Sequence, residues 1–213
     1  MSSLETVLSA RLDRLRSRIV SAGGDPKVVQ VIAVTKGFGP EAVAAATSAG
    51  LEVGENFAQE LLSKSGNLGE RVCWNYLGAI QTNKIRRLAP LVTRWQSVCR
   101  SREGEAIALA APGAEVLVEV SHGGARRGCL PHEVASLVAH LGDLGLLVKG
   151  LMAVGPAPPS DPRPLFIEVR RLADDLGLPV RSMGMSEDLE VAVQEGSTMV
   201  RTGRALFGER ARP

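Results

Sequence analysis

"VIAVTKGFGPEAVAAATSAG", residues 31–50, sets an apolar strand, a lysine and a helix end to end. Val31, Ile32, Ala33 and Val34 continue a run that begins at Val28 and Val29. With no polar residue alternating through it, the segment reads as a strand covered on both faces. Lys36 closes the strand, and Gly37 and Gly39 follow it. "PEAVAAATSAG" then opens with proline at a first-turn position and closes on Gly50, the punctuation of a short helix. A lysine at such a strand end has two readings. It reaches solvent, as lysines mostly do, or it is an amine held in a dry pocket, where it deprotonates easily and attacks a carbonyl.

The same strand-then-helix unit recurs along the chain. Apolar strand candidates fall at 28–35, 51–55, 73–78, 94–99, 115–120, 146–154, 180–184 and 198–202, with Ala- and Leu-rich helical stretches between them. Such alternation implies a parallel sheet with right-handed crossovers. Eight units predict a (β/α)8 barrel of the TIM type, of which 213 residues is a short example. An open doubly wound sheet is the alternative. "TKGFGP" holds only a lone GxG where a dinucleotide fold needs GxGxxG, which favours the barrel. In "MSSLETVLSARLDRLRSRIVSAGG", Leu8, Leu12, Leu15 and Ile19 recur at helical spacing and two glycines stop the pattern. Residues 1–24 therefore read as an amphipathic helix packed on a single domain spanning 1–213.

Composition excludes several classes of function. A net charge of +2 gives no nucleic-acid footprint, and 3% aromatic residues supply no stacking platform for single strands. No apolar run approaches the roughly 18 residues that span a bilayer. Cys73, Cys99 and Cys129 form no CxxC pair, which fits a reducing, cytoplasmic setting. His122, Cys129 and His132 match no zinc spacing and lack a fourth ligand, so no metal is assigned.

In either fold, function gathers at the carboxyl ends of the strands. Lys36 ends the first strand and "GEN" (Gly54–Glu55–Asn56) the second. "LGAIQTNK" follows the third, the Pro-rich "GPAPPSDPRP" the sixth, "SMGMS" ends the seventh and "RTGRALFG" the eighth. The loops after strands seven and eight commonly bind phosphate in barrels. Here Gly184 with Ser186, and Gly203 with Ala205, offer backbone amides. Ser186 has a plainer role as a helix N-cap. Glu187 and Asp188 in the same turn would repel a phosphate unless they point away. In "TMVRTG" the period of two puts Met199, Arg201 and Gly203 on one face. A charge inside a barrel strand needs a partner, such as Glu119, or a task. An amine, an anion cradle and an inward arginine on one rim fit pyridoxal phosphate, which offers an aldehyde, a phosphate and a ring nitrogen.

These pieces resemble the pyridoxal phosphate homeostasis proteins, single-domain relatives of the alanine racemase N-terminal barrel. The likeness is carried by "AVTKGFGPEAV", "GENFAQELLSK", "LGAIQTNKIRRLAP", "GLMAV", "SMGMSEDLEVAVQEGSTMVR" and "ALFGER", nearly the whole chain. The resemblance implies that Lys36 holds pyridoxal 5'-phosphate as a Schiff base and that Asn56 lies beside the ring. It implies that Ser186 and the Gly203–Arg204 amides hold the phosphate, and that Arg201 faces the pyridine nitrogen. The chain departs from the family at three places. Asn75 replaces a usual histidine, Arg204 a usual threonine, and "SHGGARRGC" a usual loop, with Arg127 at that loop's lysine.

The expected function is to hold this cofactor reversibly, contributing to intracellular vitamin B6 and amino-acid homeostasis. Pyridoxal phosphate itself is the partner, with dependent apo-enzymes as further candidates, and the chain is expected to be a cytoplasmic monomer without turnover. The alternatives are an amino-acid racemase or decarboxylase using the same cofactor, and a lysine aldolase using none. The racemase needs a second acid or base opposite the lysine. Tyr76, the only tyrosine, falls inside the third strand and reads as a core residue. In racemases that tyrosine lies on an added domain, and this chain ends at Pro213 without one.

Overall fold

The computed structural model describes residues 3–66, 72–123 and 127–209. Eight parallel strands close into a barrel in chain order. They are β1 (Gln30–Val34), β2 (Glu52–Glu55), β3 (Trp74–Tyr76), β4 (Val92–Val98), β5 (Glu115–Val120), β6 (Leu147–Ala153), β7 (Val180–Ser182) and β8 (Met199–Thr202). Helix α1 (Ser3–Ser21) precedes them, and α2 (Pro40–Ser48), α3 (Ala58–Ser65), α4 (Thr82–Leu88) and α5 (Ser101–Ala110) follow the first four strands. A 3-10 turn at Pro131–Glu133 leads into α6 (Val134–Asp143), and α7 (Arg163–Asp175), α8 (Leu189–Gln194) and α9 (Arg204–Phe207) complete the ring.

Every strand candidate overlaps a strand; 115–120 matches end to end and the others shift at one or both ends. The first begins at Gln30 rather than Val28, because the amides of Val28 and Val29 both donate to the Asp25 carbonyl at 2.9 Å. That turn keeps Val28 out of the ladder and 64% exposed. The fourth starts two residues earlier than expected, at Val92, where it pairs with Trp74 of β3.

Helix α1 buries Leu8, Leu12, Leu15 and Ile19, the stripe that its spacing implied. It packs against α2, α8 and α9, which flank the seam where β8 meets β1. Gly23 and Gly24 donate to the carbonyls of Val20 and Ile19 at 2.9 Å and so satisfy the helix end.

Between sheet and helices lies an apolar layer that includes Val31, Ala33, Val53, Trp95, Val118, Phe166 and Val200. The barrel's interior is mixed. Ile32, Leu117 and Met152 are buried there beside polar groups. At the amino end Arg94 pairs with Glu52 and Glu115, both at 3.0 Å. Asn75 donates to Glu52 at 2.8 Å and accepts from Gln96 at 2.7 Å. Gln96 in turn accepts from the Ser182 hydroxyl at 2.7 Å, and Ser182 accepts from Arg201 at 2.7 Å. A chain of hydrogen bonds thus crosses the barrel from its amino end to its carboxyl rim. Each buried polar group in it is paired, as a low-dielectric interior requires.

Candidate functional site

A cavity of 520 Å³ opens at the carboxyl rim, and its lining includes Lys36, Asn56, Ser186, Arg201, Gly203 and Arg204. All six residues singled out in the sequence therefore meet, although they come from four different strand–helix loops, from β8 and from the first residue of α9. Val34, Leu77, Met152 and Val154 form its apolar wall, and Pro156, Pro158 and Pro159 its outer side.

Lys36 sits in the turn two residues beyond β1, half-buried, rather than on the strand itself. What shapes this turn is a buried ion network that the sequence did not disclose. Lys64 on α3 donates to the Thr35 carbonyl at 2.8 Å, to Glu55 at 2.7 Å and to Glu60 at 2.6 Å. Glu60 also accepts from the Gly37 amide at 2.9 Å. Glu55 further accepts from the Asn56 amide at 2.8 Å and the Thr35 hydroxyl at 3.2 Å. The backbone on both sides of Lys36 is therefore held by one ammonium and two carboxylates. The one visible signal was the Glu60–Lys64 spacing on a helix, which ordinarily marks a solvent-exposed pair.

Asn56 is set by close contact. A Cβ on Gly78 would overlap the Asn56 carbonyl oxygen, so the glycine of "LGAIQ" lets the β2 and β3 loops touch. Arg201 is buried and holds no carboxylate. It donates to the Ser182 carbonyl at 2.6 Å and hydroxyl at 2.7 Å, and to the Ala153 carbonyl at 2.7 Å. Glu119, its candidate partner, is instead bonded by Arg127 at 3.4 Å. Burial pushes the Arg201 guanidinium down to about 10, opposed by the charges of Asp188 and Glu119. It stays a cation at neutral pH.

The two glycine-containing loops face each other. Ser186 and Thr202 share a hydroxyl hydrogen bond at 3.0 Å. A Cβ on Gly203 would lie 2.7 Å from the Val34 carbonyl oxygen, so this position keeps the loop close against β1. Ser186 does not cap α8, because Asp188 occupies the cap position and accepts from the Met185 amide at 2.6 Å. Glu187 pairs with Arg204. Arg204 thus balances the carboxylate beside it. Lys36, Arg201 and Arg204 against Glu187 and Asp188 leave the lining with an excess of positive charge.

A second cavity of 420 Å³ shares Val154 and Pro156 with the first and is lined by Glu119, Ser121, His122 and Arg127. Arg127 bridges Glu103 at 2.7 Å and Glu119 at 3.4 Å. Residues 124–126 of the altered "SHGGARRGC" loop lie outside the described residues. Tyr76 is buried edge-on against Trp95, donates to the Ala79 carbonyl at 3.3 Å and does not line the first cavity. Among the described residues, no three His, Cys, Asp or Glu side chains gather as metal ligands.

Lys64→Met should destabilise the fold by about 3–5 kcal/mol in chemical denaturation, because it strands the fully buried Glu55 carboxylate. Glu55→Gln in the same background should recover part of that loss. Burial, the largest influence, raises Glu119 from 4.5 to about 7, although Arg127 and Arg201 pull it down. The folded chain thus holds this proton more tightly than the unfolded chain. Its stabilising share is complete below the unfolded value and is lost as pH rises through the folded one. Between about pH 5 and about pH 8, wild type should lose roughly 1–3 kcal/mol more stability than Glu119→Gln. Equal losses in urea titrations would show that burial is not holding the proton.

Comparison with known proteins places this geometry. The model of the alanine racemase N-terminal domain matches residues 8–211. A pyridoxal phosphate homeostasis protein from Pseudomonas aeruginosa is 37% identical over 224 residues, covering 99% of this chain and 97% of its own. PipY from Synechococcus elongatus, solved with PLP bound, superposes with a TM-score of 0.81 at 30% identity, covering 94% of this chain and 100% of PipY. Alanine racemase from Clostridium difficile superposes with a TM-score of 0.75 over 96% of this chain and 57% of its own, and at 15% identity that likeness concerns the fold alone. By its barrel, its full-length match and its retained motifs, the chain belongs to the pyridoxal phosphate homeostasis protein family, built on the alanine racemase N-terminal domain.

Proposed function

We propose that this protein holds pyridoxal 5'-phosphate reversibly as a Schiff base on Lys36, as one cytoplasmic, monomeric domain, and contributes to vitamin B6 and amino-acid homeostasis. The observation that carries the reading is the meeting of Lys36, Asn56, Ser186, Arg201, Gly203 and Arg204 in one cavity. The name of the Pseudomonas aeruginosa relative and the PLP bound to PipY support it.

The residues present fit the group. Gly203 lets the loop backbone lie close against β1 on the cavity lining, and the excess positive charge suits a phosphate dianion. Bound here, pyridoxal phosphate would supply an aldehyde for the lysine and a ring able to accept electrons. Lys36 is the amine within reach of that aldehyde, its turn fixed by Lys64 and Glu60. Ser186 and the Gly203 and Arg204 amides would hold the phosphate, and Asn56 would lie beside the ring. Arg201 is a permanent donor at this depth and cannot give the ring nitrogen a full proton, which lowers electron demand.

The reading without turnover rests on the acids and bases around the cavity. Glu187 is occupied by Arg204 and Asp188 by the Met185 amide, while Tyr76 lies outside the lining. Proton transfer at a substrate carbon needs a free group opposite the lysine. A carrier of this kind would serve pyridoxal-phosphate-dependent apo-enzymes.

Borohydride reduction of the loaded protein should fix one adduct, located on Lys36 by peptide mass spectrometry and lost in Lys36→Ala. An adduct on Lys64 or Lys84 would overturn the assignment. Incubation with L-amino acids in deuterated water should leave their α-carbons unlabelled. Many turnovers of deuterium uptake, abolished by Lys36→Ala, would make the protein an enzyme.

Arg204 offers a separate measurement. Arg204→Ala exposes Glu187 beside the phosphate and should weaken cofactor retention, whereas Arg204→Ala with Glu187→Gln should recover most of it. Equal retention in all three proteins would place this pair outside the phosphate's reach.

A further inference from the structure

We propose that Arg18 and Arg11 of α1 are positioning residues for the cofactor phosphate, clamping its two loops from outside the cavity. The inference rests on the reading of the cavity as a pyridoxal phosphate site. Arg18 donates through Nε and Nη2 to Glu190 at 2.6 and 2.9 Å, and Nη2 also donates to the Ser186 carbonyl at 2.9 Å. One guanidinium therefore holds both the loop residue assigned to phosphate and the helix behind it. Arg11 donates to the Leu206 carbonyl at 3.2 Å, and a Cβ on Gly208 would sit 3.1 Å from its guanidinium. Leu206 and Phe207 in turn donate to the Gly203 carbonyl at 3.0 and 2.8 Å, which carries that hold back to the second loop.

The clamp has a physical reason. Helices α8 and α9 have six and four residues, too short to keep their own geometry. Helix α1 has nineteen residues and is pinned by its buried leucine and isoleucine stripe. Arg11 and Arg18 are seven residues apart, so both fall on the same edge of that stripe. Neither lines the cavity, so each acts through a loop rather than on the ligand. The Ser186–Thr202 hydrogen bond ties the first loop to the end of β8, where the second loop begins. Hydrogen bonding to Arg18, the largest influence, holds the Glu190 carboxyl below its ordinary range.

The test compares equilibrium binding of pyridoxal 5'-phosphate and of pyridoxal, which has the aldehyde but no phosphate. Relative to wild type, Arg11→Gln with Arg18→Gln should lose about 5- to 50-fold in affinity for pyridoxal phosphate, the span of ordinary site-to-site coupling. Its affinity for pyridoxal should change by less than about twofold, so the preference for phosphate shrinks. Arg16→Gln, on the exposed face of α1, should leave both affinities unchanged. If thermal melts show the double variant unfolded, Arg18→Gln is read in the same way, since it removes the hold on Ser186 and leaves Arg11 in place. Equal losses for both ligands, or none, would reduce the arginines to general stability and overturn the proposal. Wild type that bound neither ligand would instead overturn the cofactor reading on which it rests.

Discussion

A guanidinium buried inside a barrel constrains everything around it. Arg201 has lost its water and has no carboxylate in exchange, so its stability depends on well-placed oxygens. The Ser182 carbonyl and hydroxyl and the Ala153 carbonyl supply them. The Ser182 hydroxyl presents its oxygen to Arg201 while donating to Gln96, and Gln96 is oriented by Asn75. The chain ends at the Glu52–Arg94–Glu115 ion pairs, where solvent is near. A charge needed at the carboxyl rim has thus dictated polar residues through the depth of a core that could otherwise be aliphatic. Asn75 suits this task because its amide has a donor and an acceptor at every pH.

The two lysines near β1 show how environment separates roles. Lys64 is buried, yet three oxygens surround it and its charge is fully compensated. It is a structural cation that ties the Thr35 carbonyl and, through Glu60, the Gly37 amide. Lys36 lies between these two ties and faces the cavity. The sequence carries both as lysines beside short glycine- or serine-containing segments. Burial and three paired oxygens fix Lys64 as a structural cation, whereas Lys36 is half-buried and lines the cavity.

Closure is the third constraint. A barrel whose last strands are short must brace them from outside, since β7 has three residues and β8 four. Helix α1 covers the seam and reaches α8 and α9 through arginines at the edge of its apolar stripe. The N-terminal helix is therefore part of the same mechanical unit as the rim loops, although it is distant from them in sequence.

The sequence by itself determined the class of fold, because eight short strand-like runs alternating with helical patterns allow few arrangements. It also pointed to six residues that line one cavity, since strand ends of a parallel barrel share one rim. Strand ends shifted where a turn hydrogen bond outweighed side-chain character, as at Val28 and Asp25. Tertiary structure alone decided the partners. Arg201 took oxygens rather than Glu119, Arg204 took Glu187, and Lys64 entered the core. Charged groups choose partners by distance and by the solvent they lose, and both quantities exist only after the chain has closed on itself.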